Sequence, residues 1–327
     1  MFYGAVRGMV ASLGDPYTVF MDPKISEEFS NDLAGTFEGI GAEIGIKDDV
    51  LTIIAPLADM PAEKAGLLAG DKVLEIDTVS TAGIAIDEAI NKIRGPKDTE
   101  VKLLIAREGV VVKRDKIVIK SVTTEKKDDI FIVRISSFND DTEKLFNEAV
   151  VKIIEANPKG IILDLRNNPG GYLDTAIEVS SEWIEEGLVV IEKYSEEKKI
   201  EHLARGRARL SGFPTVVLVN QGSASASEIV AGALQDYKFA QIVGKKTFGK
   251  GSVQTLTNLE DGSSIKITVA KWLTPLGRSI NDEGIEPNED VEFKIEDYEA
   301  GKDPQLDKAL EILSKQEVKS NQSYEKQ

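Results

Sequence analysis

Two strand–turn–helix units in the second half of the chain constrain its fold more than any other feature. In the first unit, the apolar run at residues 159–165 leads into a turn rich in glycine and proline and then into a helix predicted over residues 173–186. In the second, residues 214–219 lead into a turn of small residues and a helix predicted over residues 225–236. Apolar strands that alternate with helices build parallel sheets covered on both faces. The sequence therefore predicts an α/β domain in this half of the chain.

The rest of the chain divides into segments that differ in their predicted secondary structure. Residues 1–35 are predicted to be helical, with a break at the proline-containing turn of residues 14–16. Residues 36–121 alternate short β-branched strands with turns and two helices, one of them amphipathic over residues 84–93. Residues 122–302 form the α/β part, which ends in a hairpin around Asp261-Gly262. Residues 303–327 hold an amphipathic helix and a polar end that we expect to be disordered.

Net charge and apolar content exclude several classes of function. The chain of 327 residues carries a formal net charge of −16, which argues against binding to nucleic acid or to anionic membranes. No apolar run approaches the length of about 18 residues that a membrane span requires. The absence of cysteine excludes disulfides, thiolate catalysis and cysteine-based metal sites. We expect a globular protein without a cofactor.

The single histidine limits the possible catalytic bases. A serine–histidine triad would have to use His202, which stands in a charge-dense stretch where we expect a solvated side chain. One histidine, no cysteine and no HExxH pair also disfavour a metal site. A hydrolase built on this sequence would therefore use a base other than imidazole.

The turn after the second strand carries a candidate nucleophile. Residues 222–228 read GSASASE, and small residues at a strand-to-helix corner allow a sharp turn and the close approach of a substrate. A serine at this position lies at a helix N-terminus, where free N–H groups favour a developing oxyanion. The alternative is helix capping, because serine and glutamate are common in the first turn of a helix.

Downstream, Lys250 stands between two glycines with Phe248 and Val253 nearby. An unperturbed lysine, with a pKa of about 10.4, is neutral in fewer than about one molecule in a thousand at neutral pH. Burial lowers the pKa of an amine, and no Asp or Glu occurs between Gln241 and Leu259 to oppose that effect. Lys250 is therefore a candidate general base. The alternative is an ordinary surface lysine in a flexible loop.

Two further features accompany this pair. Gln254, four residues beyond Lys250, could orient the amine by a hydrogen bond if the chain between them turns, since a straight strand would separate them by about 13 Å. Residues 164–171, DLRNNPGG, expose backbone N–H groups after the first strand and could supply an oxyanion donor. A plain strand-to-helix turn explains the same glycines equally well.

Taken together, these motifs closely resemble the carboxy-terminal processing proteases, also called tail-specific proteases. Ser225 and Lys250 are 25 residues apart and Lys250 and Gln254 are four apart, which is the spacing of that family's Ser, Lys and Gln. The resemblance extends over nearly the whole chain. It is carried by residues 222–228 (GSASASE), 249–254 (GKGSVQ), 166–171 (RNNPGG), 273–280 (LTPLGRSI) and 284–288 (GIEPN).

The resemblance implies a role for each matching residue. Ser225 would be the nucleophile, Lys250 the base and Gln254 the residue that orients the lysine. The backbone N–H groups of Gly171 and Ala226 would form the oxyanion hole. Ser223 and Ser227 fall outside the family spacing, so we assign them structural roles. The core at residues 122–302 would be similar to the crotonase and Clp-protease folds, giving an α/β (α+β overall) protein with an inserted PDZ domain.

The inserted domain, residues 36–121, resembles a PDZ domain. Residues 38–42 (EGIGA) look like its carboxylate-binding loop, so Gly39, Ile40 and Gly41 would bind the C-terminus of a substrate. Residues 65–71 (AGLLAGD) look like the turn typical of such domains, and Arg94-Gly95-Pro96 matches the PDZ domain of the family. Arg94 could instead dock the PDZ domain on the core.

The function implied is a serine endopeptidase that cleaves proteins near or from their C-terminal tails, with the PDZ domain recognising the tail or gating access. The alternatives are a catalytically silent PDZ scaffold and a crotonase-like acyl-thioester enzyme. The resemblance also implies an extracytoplasmic location and a homo-oligomer. Members of the family usually carry an export segment before the first helix, which this sequence does not show, so we expect a membrane anchor only through such an upstream segment.

Overall fold

The computed structural model describes residues 2–15, 17–47, 50–56, 60–68, 70–84, 86–118, 120–294, 297 and 300–324. Contacts divide the chain into two compact units. The smaller unit is Thr36–Ile119, and the larger unit combines Met1–Gly35 with Lys120–Gln327. The N-terminal segment therefore folds with the α/β half of the chain.

The N-terminal segment consists of two helices, α1 (Phe2–Ala11) and α2 (Pro23–Leu33), joined through a short strand, β1 (Val19–Met21). The sequence predicted helix on both sides of the break and missed this strand. Its residues pair antiparallel with the long strand Ser264–Leu273 of the same unit, and Phe20 and Met21 are buried there. Tertiary pairing outweighs local propensity in a segment this short.

The smaller unit is mostly antiparallel β-structure around its own apolar core. It contains two strand pairs, β2 (Thr36–Gly39) with β9 (Asp115–Val118) and β3 (Ala42–Lys47) with β4 (Val50–Pro56). A four-stranded sheet has the order β6 (Val79–Ser80), β5 (Val73–Ile76), β7 (Glu100–Ile105) and β8 (Gly109–Lys113). Alternate residues of one central strand, Val101, Leu103 and Ile105, point into that core. The helices of this unit are α3 (Pro61–Lys64) and α4 (Ile86–Ile93).

The larger unit is built on a six-stranded sheet in the order β10-β11-β12-β15-β16-β19, parallel except for β10. Its strands are β10 (Val122–Lys127), β11 (Ile130–Ile135), β12 (Gly160–Asp164), β15 (Thr215–Val219), β16 (Ala240–Gly244) and β19 (Glu289–Asp290). The helices that accompany it are α5 (Thr142–Ala156), α6 (Leu173–Ser180), α7 (Ala226–Asp236) and α8 (Pro304–Tyr324).

Both faces of this sheet are covered, as the apolar strands predicted. Every residue of β12 and β15 is buried. Ile161 and Leu163 belong to one apolar cluster with α5, α6 and α7, whereas Ile162 faces the other side and packs with Leu313 of α8. Parallel sheets occur almost only with both faces covered, and near-continuous apolar strands result.

Two helices differ in length from the prediction. Helix α6 ends at Ser180 rather than near residue 186, and the chain then turns so that the indole N–H of the buried Trp183 donates to Thr215 Oγ1 at 2.9 Å. Helix α8 continues to Tyr324, further than the sequence predicted for the tail.

A second, antiparallel sheet in the larger unit contains β1, β13 (Leu188–Lys193), β14 (Lys199–Leu203), β17 (Ser252–Asn258) and β18 (Ser264–Leu273). Strands β17 and β18 form the hairpin predicted around Asp261-Gly262. Trp272 of β18 and Val253 of β17 join the same apolar cluster as the central sheet. This arrangement places the chain that precedes β17, which contains Lys250, beside the helices of the central sheet.

Strands β12 and β15 are adjacent and parallel, so their carboxyl ends lie at the same edge of the sheet. The turns that follow them are the two that the sequence singled out, at residues 166–171 and 222–228. Ligand sites in open α/β sheets form at this edge.

Candidate active site

Ser225 occupies a strained corner between β15 and α7. Its backbone dihedrals are φ 55° and ψ −114°, outside the usual regions for a residue with a side chain. Such strain persists only where the surroundings enforce it, and it is typical of a serine held out on a strand-to-helix turn. Ser225 is half-buried between the buried Ala224 and Ala226, and it lines the cleft described below.

The glycine turn after β12 packs directly against this corner. Gly170 has φ 100°, and a Cβ there would lie 2.7 Å from Ala224 O and 2.9 Å from Ala226 N. Gly171 has φ 144°, and a Cβ there would lie 2.0 Å from the carbonyl oxygen of Phe138. Neither position can accept a side chain without moving backbone. The two glycines therefore allow one turn to approach the other closely.

Two backbone N–H groups are left available at this junction. Gly170 N donates to Asn168 Oδ1 at 2.9 Å, and the neighbouring carbonyl of Gly170 accepts from Phe138 N at 2.9 Å. Among the described residues, no acceptor is hydrogen-bonded to Gly171 N or Ala226 N. An N–H without a protein partner at the mouth of a cleft can donate to an oxyanion.

Ser223 and Ser227 hold the two turns together. Ser223 Oγ donates to Leu165 O at 2.8 Å, and Ser227 Oγ donates to Asn168 O at 3.0 Å. Both serines are fully buried. Their hydroxyls thus satisfy backbone carbonyls of the neighbouring turn, in keeping with structural roles.

Glu228 caps helix α7, as the alternative weighed from the sequence had it, but sequence reasoning missed its contacts with the lysine loop. This buried carboxylate accepts hydrogen bonds from Ser225 N at 2.8 Å, Thr247 Oγ1 at 2.6 Å, Gly249 N at 2.7 Å and Lys250 N at 3.0 Å. It therefore ties the serine corner to the lysine loop. Burial raises the pKa of Glu228, and the four hydrogen bonds oppose that rise. The glutamate three residues after a helix-capping serine was the available signal.

Lys250 lies in the loop just before β17 and is half-buried. Burial lowers the pKa of its amine, while attraction to the Glu228 carboxylate opposes the shift. The expectation that no carboxylate lies near Lys250 is therefore wrong, because Glu228 arrives from α7 rather than from the lysine's own segment. No described carboxylate forms an ion pair with Nζ, which lies 6.0 Å from the centroid of the Tyr17 ring.

Gln254 lies in β17 and lines the same cleft. Its amide nitrogen donates to the carbonyl oxygen of Ser252 at 2.9 Å and to Ser252 Oγ at 2.6 Å. Within the described part of the chain, Gln254 and Lys250 share no hydrogen bond. A direct orienting contact between them is therefore not seen, although both side chains face one space.

The cleft has a volume of about 440 Å³ and lies wholly within the larger unit. It brings together Ser225, Lys250, Gln254 and Gly171, which are dispersed over more than 80 residues of sequence. Its other walls are largely apolar. They include Phe29, Leu33, Phe138, Val253, Leu256 and Trp272.

The predicted carboxylate loop of the smaller unit follows β2. Gly39 ends that strand, Ile40 is buried, and Gly41 has φ 71° with Met60 only 2.5 Å from where a Cβ would lie. No described acceptor takes the N–H of Ile40 or Gly41, whereas the carbonyl oxygen of Ile40 accepts from Ala62 N at 2.7 Å. The guanidinium of Arg94 lies 4.7 Å from the centroid of the Phe37 ring.

His202 does not take part in the site. It is half-buried rather than fully solvated, because Nε2 lies 3.1 Å from Glu192 Oε2 and the ring meets Trp272 edge-on. Among the described residues, no group of three or more histidine, cysteine or acidic side chains could hold a metal ion. No helix among these residues has both the length and the apolar character needed to cross a membrane.

Comparison with known proteins places this geometry in a family. The profile described as Peptidase family S41 matches residues 129–291, and the profile of a PDZ domain matches residues 52–107. A solved structure, the photosystem II D1 C-terminal processing protease, is 31% identical with a TM-score of 0.62 over 89% of this chain and 81% of that one. The chain belongs to peptidase family S41. The recognition of a C-terminal processing protease with a PDZ domain, and the α/β fold class, are confirmed.

Two curated relatives are carboxy-terminal processing or CtpA-like proteases by name. The carboxy-terminal processing protease CtpA of Bacillus subtilis is 40% identical over 310 residues, which are 93% of this chain and 66% of the relative. A probable CtpA-like serine protease of Staphylococcus haemolyticus is 41% identical over 290 residues, or 87% of this chain and 58% of that protein. The chain thus spans about two thirds or less of these curated relatives. An S41 structure from Bacteroides fragilis, at 16% identity and a TM-score of 0.67, shares the fold.

Proposed function

We propose that this chain is a serine endopeptidase in which Ser225 is the nucleophile and neutral Lys250 is the general base. The observation that carries the proposal is the cleft shared by a serine in a strained corner and a half-buried lysine whose pKa is lowered by burial. A nucleophile and a base that face one cleft are the minimum for acyl transfer. Membership of family S41 gives the same reaction class independently.

In the proposed reaction, Lys250 Nζ takes the proton of the Ser225 hydroxyl as Oγ bonds to the carbonyl carbon of the substrate. The oxyanion that forms accepts hydrogen bonds from the N–H groups of Gly171 and Ala226. The C–N bond then breaks, and the leaving amine takes the proton from the Lys250 ammonium. Water attacks the acyl-enzyme, Lys250 accepts its proton and returns one to Ser225 Oγ, and the free acid leaves.

Gln254 and Glu228 would support this chemistry without touching the reacting atoms. Glu228 binds the backbone of both reactive residues and so sets their separation. Gln254 would act on Lys250 through a contact formed in the substrate complex. We expect the replacement of Gln254 by alanine to cost less activity than the replacement of Lys250.

The decisive experiment compares wild type with Ser225→Ala and Lys250→Ala on a loosely folded protein substrate, with cleavage followed by mass spectrometry. Ser211→Ala and Lys271→Ala, at exposed positions of the same unit, are matched controls. We expect both site variants to be inactive and both controls to cleave normally. Labelling by a fluorophosphonate probe should require Ser225. Cleavage that persists in either site variant would refute the mechanism.

We also propose that the PDZ unit presents C-terminal tails to the protease. Support comes from the PDZ profile match and from the N–H groups of Ile40 and Gly41, which have no acceptor among the described residues. Such groups can bind a terminal carboxylate while the peptide adds a strand. A tail-bearing substrate should lose affinity when its C-terminus is amidated. Unchanged cleavage of that substrate after deletion of residues 36–119 would contradict the role of the unit, and unchanged cleavage by Arg94→Ala would contradict docking through Arg94.

By the same family resemblance, we propose that the enzyme acts outside the cytoplasm and forms a homo-oligomer. Fractionation of the producing cell and light scattering on the purified chain test these two points. Recovery of the protein in the cytoplasm or as a monomer at all concentrations would contradict them.

A further inference from the structure

A second lysine lines the catalytic cleft and has no role in the proposed reaction. Lys266 belongs to β18, and it is half-buried in the wall of the cleft. Its Nζ lies 5.0 Å from the centroid of the Phe29 ring, which belongs to α2 of the same unit. An aromatic face attracts a cation and fixes the ammonium toward the cleft.

The ammonium of Lys266 forms no ion pair with the acidic side chains in the part of the chain that the structure describes, although such pairs are common elsewhere in the chain. Burial and repulsion from Lys250 both lower the pKa of Lys266, and Asp15 opposes them only as a weaker attraction. A partly desolvated cation without a partner is costly, and an incoming anion would offset that cost.

The charge of the cleft contrasts with the charge of the chain. The chain as a whole carries −16, whereas the described residues that line the cleft include no aspartate or glutamate. Because Lys250 is neutral in the proposed reaction, Lys266 supplies the charge of this lining. A concave, low-dielectric space lined by one sign of charge concentrates ligands of the opposite sign. The cleft is therefore suited to a substrate that carries negative charge at a defined place.

We propose that Lys266 is a specificity-determining residue that binds a carboxylate of the peptide held in the cleft. This inference rests on the proposed peptidase function. The carboxylate can come from an acidic side chain or from the C-terminus of the substrate. Both groups offer the acceptor oxygens that an ammonium requires.

Strand register gives the expected place of this carboxylate. In the hairpin of β17 and β18, Lys266 lies opposite Leu256 of β17. Lys250 lies two residues before Ser252, at which β17 begins. Four residues of strand between Ser252 and Leu256 span about 13 Å at about 3.3 Å per residue. An extended substrate that runs along the cleft would cover this distance in about four residues. The flexible lysine side chain extends the range to positions two to four residues from the scissile bond.

The first test is a peptide series with a single glutamate moved through each position from four residues before to four after the scissile bond. Each glutamate peptide is paired with a glutamine peptide. We expect kcat/KM to be about tenfold higher for glutamate at one position on one side of the bond, a factor that corresponds to about 1.4 kcal/mol. Peptides that end at that position with a free carboxylate or an amide distinguish the terminal source from the side-chain source.

The second test assigns this preference to the lysine. Lys266→Ala should cleave the glutamate and glutamine peptides equally well, and Lys266→Glu should prefer a lysine at the same position. Lys271→Ala is the matched control, since Lys271 is exposed on the same strand and does not line the cleft. It should keep the preference of the wild type.

A binding measurement separates this inference from the catalytic proposal. The Ser225→Ala variant, titrated with fluorescently labelled glutamate and glutamine peptides, reports the preference without turnover. Preferential binding without cleavage by the wild type would contradict the peptidase function alone. Cleavage with no glutamate preference at any position, or a preference that survives in Lys266→Ala, would overturn the role of Lys266.

Discussion

Replacement of Glu228 by glutamine tests how the two halves of the site are held together. Glu228 Oε2 accepts from the backbone nitrogens of Ser225 and Lys250, and Oε1 accepts from Thr247 Oγ1 and Gly249 N. Glutamine has the same shape but offers one oxygen and one NH₂ group. If the NH₂ group replaces Oε2, the backbone N–H groups of Ser225 and Lys250 both face a donor. If it replaces Oε1, the N–H of Gly249 faces a donor, whereas the Thr247 hydroxyl can turn and accept.

The size of the effect follows from these contacts. A hydrogen bond to a charged group contributes about 1.5–3 kcal/mol, so the loss of one or two corresponds to about 1.5–6 kcal/mol. Removal of a buried charge recovers part of this as lower desolvation cost, which leaves a net destabilisation of about 1–3 kcal/mol. Urea unfolding followed by tryptophan fluorescence measures it, since Trp183 and Trp272, the two tryptophans, both lie in the larger unit.

The same variant makes a prediction about pH. The Glu228 carboxylate stabilises the protonated form of Lys250, so its neutralisation lowers the pKa of Lys250 further. The rise of kcat/KM with pH should therefore shift to lower pH in Glu228→Gln. At the same time kcat should fall, because the serine corner and the lysine loop are no longer joined.

Glu186→Gln is the matched control, because Glu186 is exposed in the same unit. It should change neither stability nor the pH profile. Wild-type stability in Glu228→Gln, or a profile displaced to higher pH, would refute the reasoning.

Three further substitutions test other parts of the account. Gly170→Ala would place a methyl group 2.9 Å from Ala226 N, so kcat should fall by about 10²-fold or more, as for loss of an oxyanion donor, while KM changes little. Arg166→Lys would lose the paired bonds to Asp164 at 2.9 and 2.8 Å, and urea unfolding should show a loss of about 1–2 kcal/mol. In the PDZ unit, Arg114→Met would leave unpaired the backbone carbonyls that the buried Arg114 side chain binds, and calorimetry should show that unit destabilised by about 2–4 kcal/mol. Unchanged values would contradict each of these.

The sequence predicted the central sheet well because the signal there is strong and local. Strands β12 and β15 are uninterrupted apolar runs, and each is followed by a turn of small residues and a helix. The hairpin of β17 and β18 was equally clear from its Asp-Gly turn and its alternating residues.

Pairing between segments that are distant in the sequence could not be predicted from local residue patterns. Strand β1 has three residues and is a strand because it pairs with β18, more than 240 positions away. Nothing within residues 19–21 distinguishes such a strand from a break between helices. The early end of α6 at Ser180 likewise depends on the burial of Trp183 beside Thr215.

The same difference between local and long-range signals applies to the residues of the candidate active site. Ser225 and Lys250 could be identified because small residues flank each of them. The contribution of Glu228 could not, since it depends on a carboxylate from α7 that binds the backbone of a loop 21–22 residues later. The geometry of Gln254 also differs from the expectation, because β17 begins at Ser252 and the amide of Gln254 turns back to that residue.

The central claim is that Lys250 is neutral at working pH and removes the proton of Ser225. The most direct test is the rate of phosphonylation of Ser225 by a fluorophosphonate, measured from about pH 5 to pH 10 in wild type and in Lys250→Ala. We predict a rise with pH whose midpoint lies below the ordinary lysine value of about 10.4, and a loss of about 10²–10⁴-fold in the variant. A midpoint at or above the ordinary value, or a rate that does not depend on Lys250, would contradict the account.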